Sequence, residues 1–322
     1  MKTLRSIRRS VGFTLIELMI AILLGLIIVA VVLGFFLEIL QGYRTNNAVS
    51  DVQTSSRLAF ELLAHDIRDA GLTGCNNDGN VANILANGST AVPGAAAWNA
   101  DWGNALKGYT QGMIDPALPA ASNQVANTDS IQVLSAADTA MSVQLHTPGQ
   151  FAINGDIGSL KDGDPVIVCD PDHAAILQIA TAGPPLVYTD AGNCGLDLNY
   201  PATCGGGGMT YLFGPNSQIA PLYAVDWYIG NNAVGGKSLY RIVPMIDPNP
   251  QEMVRDITSM TLLYLQKGAF NFVAANAVTD WTTVTAVQIT LAMQSSFQRA
   301  GTNAQPLIRN YSTVVALYNR AG

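Results

Sequence analysis

Glu17 is the residue whose placement asks most of chemistry. It lies near the start of an apolar stretch, GFTLIELMIAILLGLIIVAVVLGFFLEIL, that runs from Gly12 to Leu40. A charge at mid-bilayer costs ~3 kcal/mol on insertion scales, and less near the edge, so a carboxylate kept in such a run normally has a partner. Chain cleavage between Gly12 and Phe13 would create one. Phe13 would gain an α-amine four residues before Glu17. Buried together in a helix bundle, an amine and a carboxylate neutralise each other; either one alone is costly there.

Four cysteines are the other residues suited to covalent chemistry: Cys75, Cys169, Cys194 and Cys204. Lys2, Arg5, Arg8 and Arg9 precede the apolar run, and basic flanks stay in the cytoplasm. The body of the chain is therefore expected across the inner membrane, in an oxidising compartment where cysteines pair. Four cysteines allow three connectivities. Cys194–Cys204, which closes a short loop, is the expected pair, and hence Cys75–Cys169, which ties the end of a helix to a strand. No C-x-x-C occurs and the cysteines are scattered, so zinc is not expected.

The remaining constellations are weaker. GGKS (235–238) resembles a phosphate-binding loop, but Asn231 stands where that motif needs glycine, and SLYRIV behind it reads as a strand; a hairpin turn is expected. GGGG (205–208) has no basic neighbour and reads as a loop. NNDGN (76–80) is oxygen-rich but lacks the spaced acids and terminal glutamate of a calcium loop. Asp170, Asp172 and His173 read as a solvated turn after a strand. His65 is expected to face solvent or another subunit. With three histidines and no nucleophile motif, no catalytic residue, metal or cofactor is expected.

Charge narrows the partners. Charged residues make up 12% of the chain and the net charge is −7. Without the four basic residues before Gly12, 12 basic residues face 23 acidic ones, a balance of −11. Nucleic acid is therefore not an expected partner, because phosphate binding needs clustered Lys and Arg.

The elements that must position these residues follow from periodicity. Leu18 to Leu37 is a run of 20 uncharged residues, which as a helix spans about 30 Å, the thickness of a bilayer's hydrocarbon core. The run is too long for a cleaved secretory signal, and no A-x-A site closes it. Beyond it Val49, Val52, Ala59, Leu62, Leu63 and Ile67 recur at three- and four-residue steps, an amphipathic continuation. Gly71 is the expected stop, giving a helix over about 13–70. Ala21/Gly25 and Ala30/Gly34 are small-residue pairs that let helices approach closely in lipid. Residues 71–128 read as a long irregular loop, with Trp98 and Trp102 as local anchors. Residues 129–322 carry short alternating segments, among them SIQVLS, PVIVCD, LYAVDWYIG and TAVQITLAMQ, the pattern of an antiparallel β domain. In Val284–Gln294 one face is Val287, Ile289, Leu291 and Met293, and the helix is the expected cover for it.

The basic leader, Gly12, the run Phe13-Thr14-Leu15-Ile16-Glu17 and the apolar helix together resemble the class III signal of type IV prepilins. RLAFELLAHDIRDAGLTGC (57–75), GDPVIVCDPDHAAILQIA (163–180), WYIGNN and SLYRIVP (227–244) and VRDITSMTLLYLQ (254–266) are similar to the PilW-type minor pilins. The resemblance implies an α+β, type IV pilin-like fold: a long helical spine, transmembrane over about 18–37, packed on an antiparallel sheet domain after a long αβ loop. It implies removal of residues 1–12 by prepilin peptidase, N-methylation of Phe13, and pairing of Glu17 with an amino terminus in the growing filament.

By the same resemblance the chain is a minor pilin. It is anchored in the inner membrane lipid by one span, with its body in the periplasm, and then enters the pilus at or near the tip. The implied partners are other minor pilins, the major pilin and a tip adhesin. A J-type pseudopilin of type II secretion shares the same leader chemistry. A membrane-tethered calcium- or sugar-binding adhesion module, acting through residues 76–128, is the alternative from another class.

Overall fold

The computed structural model describes residues 12, 14–75, 80–119, 122–205, 210–296, 301 and 305–317. Two compact units emerge, residues 1–51 with 295–307 and residues 52–294 with 308–322. Helix α1, Leu15–Asp69, contributes to both. No proline interrupts it, since the first in the chain is Pro93. It stops where Gly71 takes a left-handed conformation, φ 77°, which glycine adopts without the clash a Cβ would bring.

In the first unit every large apolar side chain from Leu18 to Leu37 is more than half exposed. Such a helix, apolar all round, has its partners in lipid or in other helices. Among the described residues it is the one helix long and apolar enough to cross a membrane. The segment Ser295–Leu307 belongs to the same unit, and Gln41 Nε2 donates to the Gly301 carbonyl at 3.3 Å.

The second unit is built on two sheets. The larger contains β1 (Val81–Asn83), β2 (Leu106–Tyr109), β3 (Ser130–Ala136), β4 (Met141–Thr147), β5 (Gln150–Asn154), β6 (Pro165–Cys169), β7 (Ala174–Gln178), β8 (Leu186–Val187), β9 (Gln218–Asn231), β10 (Lys237–Val243) and β11 (Asp247–Arg255). The smaller is β12 (Ile257–Gln266), β13 (Val284–Gln294) and β14 (Ile308–Ala316), antiparallel in that order. The long strand β9 organises the larger sheet. Its residues 218–221 pair with β4 and β6, and residues 222–231 pair with β3 and β10. Among the described residues only β1 with β7 is parallel; every other ladder is antiparallel.

One core lies where the second part of α1 meets both sheets. Ala59, Leu63 and Ile67 pack with Val133, Trp227, Leu262 and Ile289, all essentially without solvent contact. Burying each of the larger side chains is worth ~1.5–3 kcal/mol. In β13 Val287, Ile289, Leu291 and Met293 are buried while Gln288, Thr290 and Ala292 are not, so the alternation places one face on the helix-side core. A second core, around Phe151, Val168, Leu177 and Phe213, fills the space under β4–β8.

The stretch 71–128 is more ordered than an irregular loop. β1 adds to the edge of the large sheet through β7, and β2 pairs with β3 over Leu106–Tyr109. Two 3₁₀ turns, Trp98–Ala100 and Trp102–Asn104, carry the tryptophans, which pack on Ala105, Leu134 and Ala224. Backbone N–H and C=O groups held against a sheet need partners, and these short ladders supply them.

Candidate functional site

The first turn of α1 is a reciprocal cap. Thr14 Oγ1 accepts from the Glu17 N–H at 3.3 Å, and Glu17 Oε2 accepts from the Thr14 N–H at 3.1 Å and the Thr14 hydroxyl at 2.9 Å. This is the T-x-x-E capping box, which satisfies two of the amides that every helix start leaves without intrahelical acceptors. A carboxylate has about four lone-pair sites and the box draws on one oxygen, so Glu17 keeps capacity for an outside donor. Glu17 is exposed, as are Gly12 and Thr14. Phe13 and residues 1–11 lie outside the described residues.

Further along α1 the surface suits close helix contact. Cβ atoms built on Gly25 and Gly34 would meet nothing within 4 Å. Both glycines are therefore open notches on an apolar surface, one helical turn beyond Ala21 and Ala30.

The cysteines pair as Cys75–Cys169, Cα atoms 5.8 Å apart, and Cys194–Cys204, Cα atoms 4.9 Å apart. The first joins the segment after α1 to β6 across 94 positions; the second closes a loop of 10.

Asp170 and His173 do not form a solvated turn: both are buried. Asp170 Oδ1 accepts from the amides of Asp172 and His173, and its Oδ2 accepts from the Tyr211 hydroxyl at 2.6 Å. His173 packs edge-on to Tyr211 and bonds the Leu198 carbonyl at 2.9 Å through Nε2. Leu198 and Tyr211, both beyond Cys194 in the chain, lie against the turn. The arrangement orders a loop and presents no nucleophile.

His146 is likewise internal. Phe213 N–H donates to its Nδ1 at 3.1 Å, so Nδ1 carries the lone pair and Nε2–H faces the Tyr188 oxygen at 2.9 Å. Burial pushes the imidazole down to about 4. His65 is 60% exposed, with Nδ1 3.4 Å from Asp69 Oδ2. Together with Asp138 these groups lie within 4.8 Å of one another, a set a divalent ion would accept only in competition with water. GGKS occupies the β9–β10 hairpin, with Gly235 at φ 80°. Residues 76–79 and 206–209 lie outside the described residues, and with them most of NNDGN and GGGG.

One buried acid carries no periodicity signal. Asp226 sits in β9 with no solvent exposure, inside the apolar string AVDWYI. An acid flanked by core aromatics in a central strand is the sequence cue for it.

Residues 8–33 match the family described as the prokaryotic N-terminal methylation motif. No curated protein matches the chain, and no solved structure does. The motif, with the apolar helix behind it, supports a pilin-like protein carrying a class III signal, in a pilus or a pseudopilus.

Proposed function

We propose that this chain is a PilW-type minor pilin. It waits in the inner membrane, is cut between Gly12 and Phe13 by prepilin peptidase, and is methylated on Phe13. It then joins other minor pilins in a complex at or near the pilus tip that primes addition of the major pilin and helps hold a tip adhesin. The observation that carries this reading is Glu17, an acid in the first turn of a membrane-length helix, four residues from the amine that processing would expose. The neighbour's amine would compensate the carboxylate and set the stagger between subunits. Burial of the exposed apolar side chains of Leu18–Leu37 against other spines would supply the cohesion.

Mass spectrometry of pili sheared from the native host tests it. The expected result is a scarce subunit beginning at N-methyl-Phe13, accompanied by other minor pilins. A chain that keeps its first twelve residues overturns the reading. Recovery only with a secretin-linked secretion complex, and never with pili, assigns the chain to a pseudopilus instead.

A further inference from the structure

The large sheet carries a polar row on the face turned away from the helix-side core. Side chains alternate along strands, so Ile131, Val133, Val225, Trp227 and Ile229 join that core while Ser130, Gln132, Asp226 and Tyr228 take the opposite face. Gln132 stands opposite Asp226, and Ser130 opposite Tyr109. The connection between β2 and β3 brings Asp115 over this row. Asp115 accepts from the Ser130 hydroxyl, the Gln132 amide and the Ala117 N–H. The Tyr109 hydroxyl donates to Gln132 Oε1 at 3.0 Å.

Asp226 has none of this support. It is 0% exposed, and neither carboxylate oxygen has a hydrogen-bond partner. The charged group that bears on it is another carboxylate, Asp115. Among the described residues no base forms an ion pair with either acid. Lys107 instead holds its ammonium over the Tyr109 ring, 5.7 Å from the centroid. A lone ionised carboxylate in the interior costs several kcal/mol, and a second one beside it adds repulsion, so the pair needs either a proton shared between Asp226 and Asp115 or a cation in its place.

The oxygens that gather there are two carboxylates, the Ser130 hydroxyl and the Tyr109 phenol, while Gln132 turns its amide N–H to Asp115 and offers its oxygen only after an amide flip. Hard cations take such a set; Ca²⁺ accepts 6–8 oxygens at about 2.3–2.6 Å. No thiolate or imidazole is present to favour a softer metal. A cavity of about 240 Å³, lined by Tyr109, Asp115 and Gln124–Thr128, opens beside Asp115 and gives entry and room for water ligands. We propose that Asp115 and Asp226 form a calcium-class cation site that pins the β2–β3 connection onto the outer face of the large sheet. The site is independent of the filament reading and distinct from residues 76–80.

The test uses the full chain in detergent, stripped with EGTA and then titrated with Ca²⁺ alone. Calcium at about 100-fold excess over Kd is expected to raise Tm by roughly 5–10 °C. Terbium in place of calcium is expected to give emission sensitised by Tyr109 and Tyr228, displaced by added Ca²⁺. Asp226→Asn keeps the side-chain shape and is expected to remove one equivalent of bound calcium, the terbium signal and the calcium-dependent Tm shift. The inference is overturned if EGTA and calcium leave the Tm of the unaltered chain the same. It is equally overturned if Asp226→Asn binds as many calcium ions as the unaltered chain.

Discussion

Trp227 Nε1 donates to Asp66 Oδ2 at 2.7 Å, a bond between residues 161 positions apart. It is a polar link between α1 and β9 at the edge of an apolar core. Trp227 is fully buried, Asp66 nearly so, and the Arg241 guanidinium lies 5.8 Å from the indole centroid. Trp227→Phe removes the donor and leaves a buried acceptor short of a partner, a loss of ~1–3 kcal/mol on top of the lost packing. Asp66→Asn keeps an oxygen for the indole N–H and is expected to cost less. Chemical denaturation of both variants checks the order.

His146 makes stability depend on acid. Burial holds its folded pKa at about 4 against ~6.5 unfolded, so the unfolded chain takes up a proton first as pH falls. The stability it contributes is complete above pH ~6.5 and is lost progressively down to about 4, by ~3 kcal/mol in all. His146→Gln, which cannot be charged, is expected to be less stable at pH 7.5 yet to lose less between pH 6.5 and 4.5 than the unaltered chain. Thermal melts across that range measure the difference.

The two disulfides are expected to differ in weight. In the chain-entropy description a crosslink spanning 94 positions is worth about 4.7 kcal/mol and one spanning 10 about 2.7 kcal/mol. Replacing Cys75 and Cys169 together by alanine should therefore lower the denaturation midpoint more than replacing Cys194 and Cys204. The reverse order would mean that the loop closed by Cys194 holds the second core in place.

Much of this architecture is legible because burial is one-sided. β13 has bounds and a buried face that follow directly from Val287, Ile289, Leu291 and Met293, and the GGKS hairpin follows from its turn residues. What escapes notice breaks the period. A register shift between Val143 and Leu145 leaves Leu145 56% exposed and buries His146, so β4 does not alternate. β11 contains Pro248 and Pro250 and is largely exposed, which suits an edge strand and hides it from a search for apolar runs. Asp170 and His173 look like a surface turn because the segment that covers them comes from far along the chain. Thr14 and Glu17 both stand in the leader motif, yet the motif points to assembly alone, and the capping box gives Glu17 a local duty besides.

Tyr264 and Gly108 are matched in shape but not in chemistry. The Tyr264 hydroxyl is buried without a hydrogen-bond partner, and a Cβ on Gly108 would come within 1.8 Å of it. Tyr264→Phe removes an unsatisfied polar group and is expected to be neutral or to stabilise by ~1 kcal/mol. Gly108→Ala forces the ring or β2 to move and is expected to cost ~1–3 kcal/mol or more. Thermal denaturation of the two variants should shift in opposite directions or leave only Gly108→Ala affected.

Glu17 has two duties, and two substitutions separate them. Within the chain its Oε2 closes the box with Thr14; in the proposed filament its charge meets a neighbour's amine. Glutamine also serves at this position of a capping box, so Glu17→Gln keeps the helix start and removes the charge. Thr14→Ala does the opposite: it weakens the cap, typically by ~1 kcal/mol, and leaves the carboxylate free to pair. If charge pairing governs assembly, Glu17→Gln is processed and stays in the membrane but is depleted from sheared pili as severely as Glu17→Ala, while Thr14→Ala enters them nearly normally. If the cap is what matters, Thr14→Ala is the depleted variant and Glu17→Gln is not. Immunoblots comparing sheared pili with the membrane fraction, for all three variants, decide between these outcomes.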